Sequence, residues 1–154
     1  MTRPELRAAT RADIPDLQKI AKDTGLFPPE MLPDLLQPCL DSEDAGFWRV
    51  AVAQGAACGL CWCRPEPLTE GTWNMLALGV RTASQGQGLG AALVADAETD
   101  LRGLAQRLLI VDTSGTPDFA GARAFYAACG YDHVATIPDY WMDGDDKVTF
   151  SKTL

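Results

Sequence analysis

Residues 85–91, Gln-Gly-Gln-Gly-Leu-Gly-Ala, constrain the fold more than any other stretch of this 154-residue chain. They follow a predicted strand over 72–80. They precede a predicted helix whose Leu89, Ala92, Leu93, Ala97, Leu101 and Leu104 fall on one face. A strand that turns through glycines into a helix leaves the first helical N–H groups unpaired and aimed at one place. Glycine permits the tight turn and lets an anion come close to the backbone. The turn reads either as a cradle for a diphosphate or as a glycine-rich connection without a ligand.

The surrounding pattern sets the fold class. Residues 6–9 read as a first strand. Thr10-Arg11-Ala12-Asp13 is a helix start with an acid three residues after a hydroxyl. Ile14, Leu17, Ile20 and Ala21 follow at helical spacing, and Gly25 ends the run. A second helix enters at Pro28-Pro29-Glu30, with Pro33 and Pro38 making it irregular. Strands are expected over 47–53 and 56–64, joined by the turn Gln54-Gly55. After the helix that follows residue 88 come a short strand over 108–111 and a helix over 118–129. Asp118 is its expected N-cap, and Gly130 lies just past its end. Two closing strands are expected over 132–137 and 147–152. The order β-α-α-β-β-β-α-β-α-β-β predicts one α+β domain over residues 1–154. Its expected architecture is three-layered, a mixed, mostly antiparallel sheet flanked by helices.

The turn excludes some nucleotide sites. No Gly-Lys-Ser/Thr follows it, so it is not a Walker loop. Gly86, Gly88 and Ala91 do fit a dinucleotide fingerprint, and Asp112 stands about 20 residues on. A nicotinamide-binding redox half-domain is therefore an alternative. It would need more strand–helix alternation than the chain offers, and it leaves Gly90 unexplained.

Gln85-x-x-Gly88-x-Gly90 resembles the Q/R-x-x-G-x-G/A motif of the GNAT superfamily of N-acetyltransferases. Leu78-Gly79-Val80 is similar to the end of that family's fourth strand. The segment from Ala122 through Tyr126 to Gly130-Tyr131 resembles its late A-x-x-x-Y-x-x-x-G-F/Y motif. The likeness extends over most of the chain. One departure is Phe119, where the family often has Asn seven residues before the late tyrosine.

The resemblance implies transfer of an acetyl group from acetyl-CoA to a primary amine, by direct attack in a ternary complex. It implies that the backbone of Gln85, Gly86, Gln87, Gly88, Leu89, Gly90 and Ala91 holds the pyrophosphate. It implies that Leu78, Gly79 and Val80 offer main-chain groups to the pantetheine arm and thioester. Tyr126 would then protonate the leaving thiolate as general acid. By spacing alone, Phe119, Ala122, Tyr126 and Cys129 form a helix face, which reads as core. No base is evident. Asn74 cannot serve, and Glu66, Glu70 and Asp112 read as solvated charges. A non-catalytic acyl-CoA-binding module of the same fold is the other alternative.

Charge and cysteines bound the partners. The net charge of −8 is spread along the chain, which gives no footprint for nucleic acid. It leans toward a cationic acceptor, a small molecule or a peptide amine. Met1–Arg7 carries charge with no apolar stretch behind it, so no leader peptide is expected, and no run is long enough to cross a membrane. Five cysteines, an odd number, argue against a disulfide framework and for the cytoplasm. Cys58, Cys61 and Cys63 share one strand, with Cys58 expected on the opposite face from the other two. They lack the ligands that would complete a metal site, so no metal is expected. His133 reads as a strand-edge residue. Asp139, Asp143, Asp145 and Asp146 read as a solvated turn that helps to attract a cation. Trp73 and Trp141 are candidate pocket walls. A homodimer is left open.

Overall fold

The computed structural model describes residues 4–43 and 45–154; Met1, Thr2 and Arg3 of the charged opening segment lie outside the described residues. One seven-stranded sheet organises the molecule. Its strands are β1 (Glu5–Ala8), β2 (Phe47–Ala53), β3 (Ala56–Pro65), β4 (Thr72–Val80), β5 (Leu108–Ser114), β6 (Asp132–Met142) and β7 (Asp145–Thr153). Their spatial order is β1-β2-β3-β4-β5-β7-β6. Every neighbouring pair is antiparallel except β4 with β5.

Helices α1 (Ile14–Thr24) and α2 (Leu32–Leu40) cover one face. Leu17, Ile20, Leu32 and Leu36 pack there on Trp48, Val50, Leu60 and Ala77. Helices α3 (Leu89–Gly103) and α4 (Ala120–Ala128) cover the other. Leu93, Val94, Ala97, Leu101 and Tyr126 pack there on Cys61, Cys63, Met75, Leu109, Val111 and Phe150. The three layers follow the helical and strand periodicities read from the sequence. No helix among the described residues is long and apolar enough to cross a membrane.

The start of α1 is tied by charge. Asp13 accepts the Thr10 N–H and both arms of the Arg7 guanidinium, all at 2.8 Å. The Arg7 hydrogen bonds, more than any other cause, hold the Asp13 carboxyl below its ordinary range. Gly25 closes α1 in the left-handed conformation that glycine favours, with φ +69°.

Four expectations shift. The β6–β7 hairpin runs through Pro138 and Asp139 to a turn at Asp143-Gly144, well past 137. Asp139 accepts the Gly144 N–H at 2.7 Å and donates its own N–H to Asp146 at 3.0 Å. The local break is thus a bulge between Ile137 and Met142, not a strand end. Strand β5 extends past 111 to Ser114 because β7 continues to pair with it. Asp118 is not the N-cap of α4, since a 3-10 turn over Pro117–Phe119 intervenes. Cys58 joins Cys61 and Cys63 in one core cluster, because the β2–β3 ladder slips between Ala51 and Val52.

A second slip positions the site. On β3, Trp62 and Cys63 are consecutive, yet they face Ala77 and Met75 of β4, leaving Leu76 out of register. A single inserted residue reverses which face the following side chains take. Met75 therefore packs with α3 and α4, whereas Ala77 packs with α1 and α2. At the same point the parallel ladder ends, its last rung being Met75 with Val111. Beyond it β4 and β5 part, and the sheet has a gap.

Candidate active site

The gap joins two cavities. The larger, about 740 Å³, opens between α3 and α4. Leu78, Gly79 and Val80 line it from β4, and Gln85, Gly86, Gly88, Leu89, Gly90 and Ala91 from the turn. Tyr126 lines it from α4. Of Tyr126 and the residues that the resemblance gives to the acyl donor, only Gln87 is not on its wall.

Each glycine has its own reason. Gly86 and Gly88 both have φ +79°, and a Cβ on either would meet nothing within 4 Å. They are needed for the backbone conformation and not for room. Gly90 packs against Phe125, whose ring Cζ would lie 3.3 Å from a Cβ there, so it lets α3 and α4 approach. Gln85 donates from Nε2 to the Val80 carbonyl at 3.1 Å, tying the turn to the strand end. The N–H groups of Leu89, Gly90 and Ala91 begin α3 and have no partner within the helix. The turn therefore offers amides to an anion. Two carboxylates, Asp23 and Asp118, also line this cavity, and Asp23 accepts the Thr82 N–H. Hydrogen bonds from Thr82, chiefly its backbone N–H, lower the Asp23 pKa.

Tyr126 lies at the bottom of the gap and is 7% exposed. Its ring packs on Phe150 at 5.8 Å and Tyr131 at 6.2 Å between centroids. Its hydroxyl has no hydrogen-bond partner among the described residues. Burial, the largest cause, pushes the phenol well above its ordinary pKa, so it stays protonated at neutral pH. The helix end that carries it is anchored from behind. Tyr131 donates to Glu98 at 2.8 Å, and Lys152 bonds the same carboxylate and the Cys129 carbonyl, both at 3.0 Å.

The smaller cavity, about 320 Å³, lies on the α1 side of the gap. It shares Leu26, Leu78, Phe119, Ala122 and Tyr126 with the larger one. Its other walls are Leu76 and Ala77 of the slipped segment, Asp112 and Ser114 of β5, and Trp141 and Asp145 of the hairpin. Trp141 is held by its Nε1 donating to the Thr113 carbonyl at 3.4 Å, and Asp145 by accepting the Ser114 hydroxyl.

Several side chains fall elsewhere. Trp73 is core, its Nε1 donating to Gln106 at 2.8 Å. His133 is exposed on the outer strand β6. Glu66 is no free loop charge, because it accepts Asn74 Nδ2 at 2.8 Å. Asp112 and Asp145 at the gap were not singled out as site residues. Their arrival depends on strand register, for which no local signal exists.

A mixed sheet parted between two parallel strands, with an anion-ready turn at the start of α3, defines an acetyltransferase-type fold. The model of the Acetyltransferase (GNAT) family matches residues 14–131. The chain belongs to the GNAT acetyltransferase family. It is similar to a GNAT-family protein from Desulfovibrio desulfuricans at 28% identity, covering 98% of this chain and 99% of that one, TM-score 0.85. A ribosomal-protein-alanine N-acetyltransferase from Brucella melitensis shares the fold at 20% identity, with 97% and 99% covered, TM-score 0.80. So does an aminoglycoside 6'-N-acetyltransferase complexed with coenzyme A, at 15% identity, with 97% and 96% covered, TM-score 0.77. No curated protein matches the chain.

Proposed function

We propose that residues 1–154 form a single N-acetyltransferase domain that moves an acetyl group from acetyl-CoA to a primary amine by direct attack. The observation that carries this reading is the junction of the two cavities at Tyr126. One cavity has the turn amides and the open edge of β4; the other has no such amides and is walled by β5 and the β6–β7 hairpin. Donor and acceptor would enter from opposite faces of the sheet and meet at the gap.

The residues present fit acetyl-CoA. Gly86 and Gly88, at φ +79°, hold the turn amides in the anion-accepting form. The β4 backbone past Met75 stays paired with β3 but has no β5 partner, so the edge that would face β5 is open to an extended amide arm. When bound, acetyl-CoA supplies an activated acyl group at the gap. A β4 amide then steadies the developing charge on the carbonyl oxygen, and Tyr126 donates its proton to the departing sulfur. The five free thiols suit a reducing compartment such as the cytoplasm.

The nicotinamide reading fits less well. Its acidic residue would be Asp112, which lines the cavity away from the glycine turn. A thermal-shift comparison of acetyl-CoA, CoA and NAD tests the cofactor. Stabilisation by the CoA compounds is expected, and a shift with NAD alone would refute the reading. Thiol release with an amine panel then separates an enzyme from a binding module that has lost turnover.

A further inference from the structure

Tyr126 is the only buried residue among the nine of α4. Its hydroxyl has no hydrogen-bond partner among the described residues, so no bond fixes where that oxygen stands. Its ring packs on Phe125, Tyr131 and Phe150. Phe125 belongs to α4 and Tyr131 lies just past its end, so both move with the helix. The position of the oxygen therefore follows the position of α4. A helix this short is not held straight by its own hydrogen bonds, and its placement depends on its ties to the sheet.

A cation makes the tie at each end. At the C-terminal end Lys152 of β7 donates to the Cys129 carbonyl. Towards the other end Arg123, one turn before Tyr126, donates from Nη1 to the Ser114 carbonyl at 2.7 Å and to the Thr116 carbonyl at 2.8 Å. A charged donor makes such bonds shorter and stronger than a neutral one. The two carbonyls are themselves held. The Ser114 hydroxyl accepts the Thr116 N–H at 3.0 Å and bonds the Thr116 hydroxyl at 2.9 Å. Ser114 also pairs with Lys147 of β7. It is the last residue of β5 and lies beyond Val111, where β5 stops pairing with β4. Arg123 thus fastens α4 to the lip of the gap. The arginine itself lines neither cavity.

We propose that Arg123 is a positioning residue for Tyr126: by clamping the first half of α4 to the corner after β5, it sets how far the phenol oxygen stands from the sulfur of the acyl donor. This rests on the acetyl-transfer reading above, in which Tyr126 protonates that sulfur. The proton passes only across hydrogen-bond distance, about 2.6–3.2 Å between heavy atoms. A misplacement of about 1 Å costs up to about 100-fold in rate. The donor's phosphates and amide arm would rest on the turn and on β4, not on the clamp. Loss of the clamp therefore acts on the chemical step and spares donor binding.

Arg123→Met keeps the apolar stem and removes the donors. Thiol release from acetyl-CoA is followed with the fastest acceptor of an amine panel that includes hydroxylamine, which is small and uncharged at neutral pH. Arg123→Met should lower kcat about 10-fold or more. The acetyl-CoA dissociation constant, from calorimetric titration, should stay within about twofold. Arg123→Lys, with a charged donor on a slightly shorter stem, should recover part of the loss. The deciding comparison is made with Tyr126→Phe. Once the hydroxyl is gone there is nothing left to position, so adding Arg123→Met to Tyr126→Phe should change kcat by less than about twofold. A residue that only held the fold would lower kcat by the same factor in both backgrounds. That result, or wild-type kcat in Arg123→Met, overturns the proposal. The acetyl-CoA thermal shift shows that each variant folds. Should Arg123→Met not fold, Arg123→Gln, whose amide is too short to reach both carbonyls, goes through the same cycle with the same overturning results. If Tyr126→Phe keeps wild-type kcat, or no amine releases thiol, the acetyl-transfer reading fails and takes this one with it.

Discussion

Leu26 packs so closely on Gly79 that a Cβ there would come within 2.7 Å of Leu26 Cδ1. The loop after α1 is thus pressed on the β4 backbone at the gap, where both cavities share Leu26. Gly79→Ala pushes the partly exposed leucine tip aside and is expected to cost up to about 1 kcal/mol. In a double-mutant cycle with Leu26→Ala the two changes should be less than additive, since the clash is gone in the double variant. Additive melting shifts would disprove the contact.

Tyr126→Phe should lower kcat by about 100-fold or more while acetyl-CoA affinity changes little. The hydroxyl has no hydrogen-bond partner among the described residues, so stability should move by less than about 0.5 kcal/mol. Steady-state kinetics together with calorimetric titration separates the two effects. Unchanged turnover would take Tyr126 out of the mechanism.

Gly88 sits at φ +79° at the head of α3. Gly88→Asp combines backbone strain of about 1–2 kcal/mol with a negative charge beside the amides. Acetyl-CoA binding should weaken more in this variant than in Gly88→Ala, which carries the strain alone. Equal affinities, measured by titration, would show that no anion rests at the turn.

Glu98 is buried between Tyr131 and Lys152 and anchors the end of α4. Glu98→Gln leaves the Lys152 ammonium without its counter-charge and should cost about 3–5 kcal/mol. Tyr131→Phe loses one charge-assisted bond and should cost about 1.5–3 kcal/mol. Urea denaturation gives both values. A smaller loss in Glu98→Gln than in Tyr131→Phe would contradict the network.

Asp13 gives an acid-side dependence. Its folded pKa is lowered, so its stabilising effect is complete above the ordinary carboxylate range, near 4. That effect is lost as pH falls through the lowered folded value. Asp13→Asn should therefore be less stable than wild type at pH 6, with the difference shrinking below about pH 4. A gap independent of pH between 6 and 2 would show that the Arg7 pair does not act through charge.

Much of this was legible because it is local. The apolar spacing of Ile14 to Ala21 and of Leu89 to Leu101 specified helices, and Gly25 and Gly130 marked ends by their chemistry. Local cues also misled. The strand expected over 132–137 stops before Pro138, yet β6 continues past it and pairs again with β7 at Met142. Cys58 was placed on the wrong face because alternation holds only while the register is unbroken.

The sequence by itself determined the glycine turn, its place between a strand and a helix, the order of elements and the acidic balance. These depend on backbone sterics, on periodicity and on a count of charges. The tertiary structure decided where β4 slips past β3 at Leu76, and therefore where the sheet parts. It also decided that Asp112, Asp145 and Tyr126, distant in sequence, border one opening. Register is a property of paired strands, and one bulged residue reverses every face after it. No single strand's sequence carries that information.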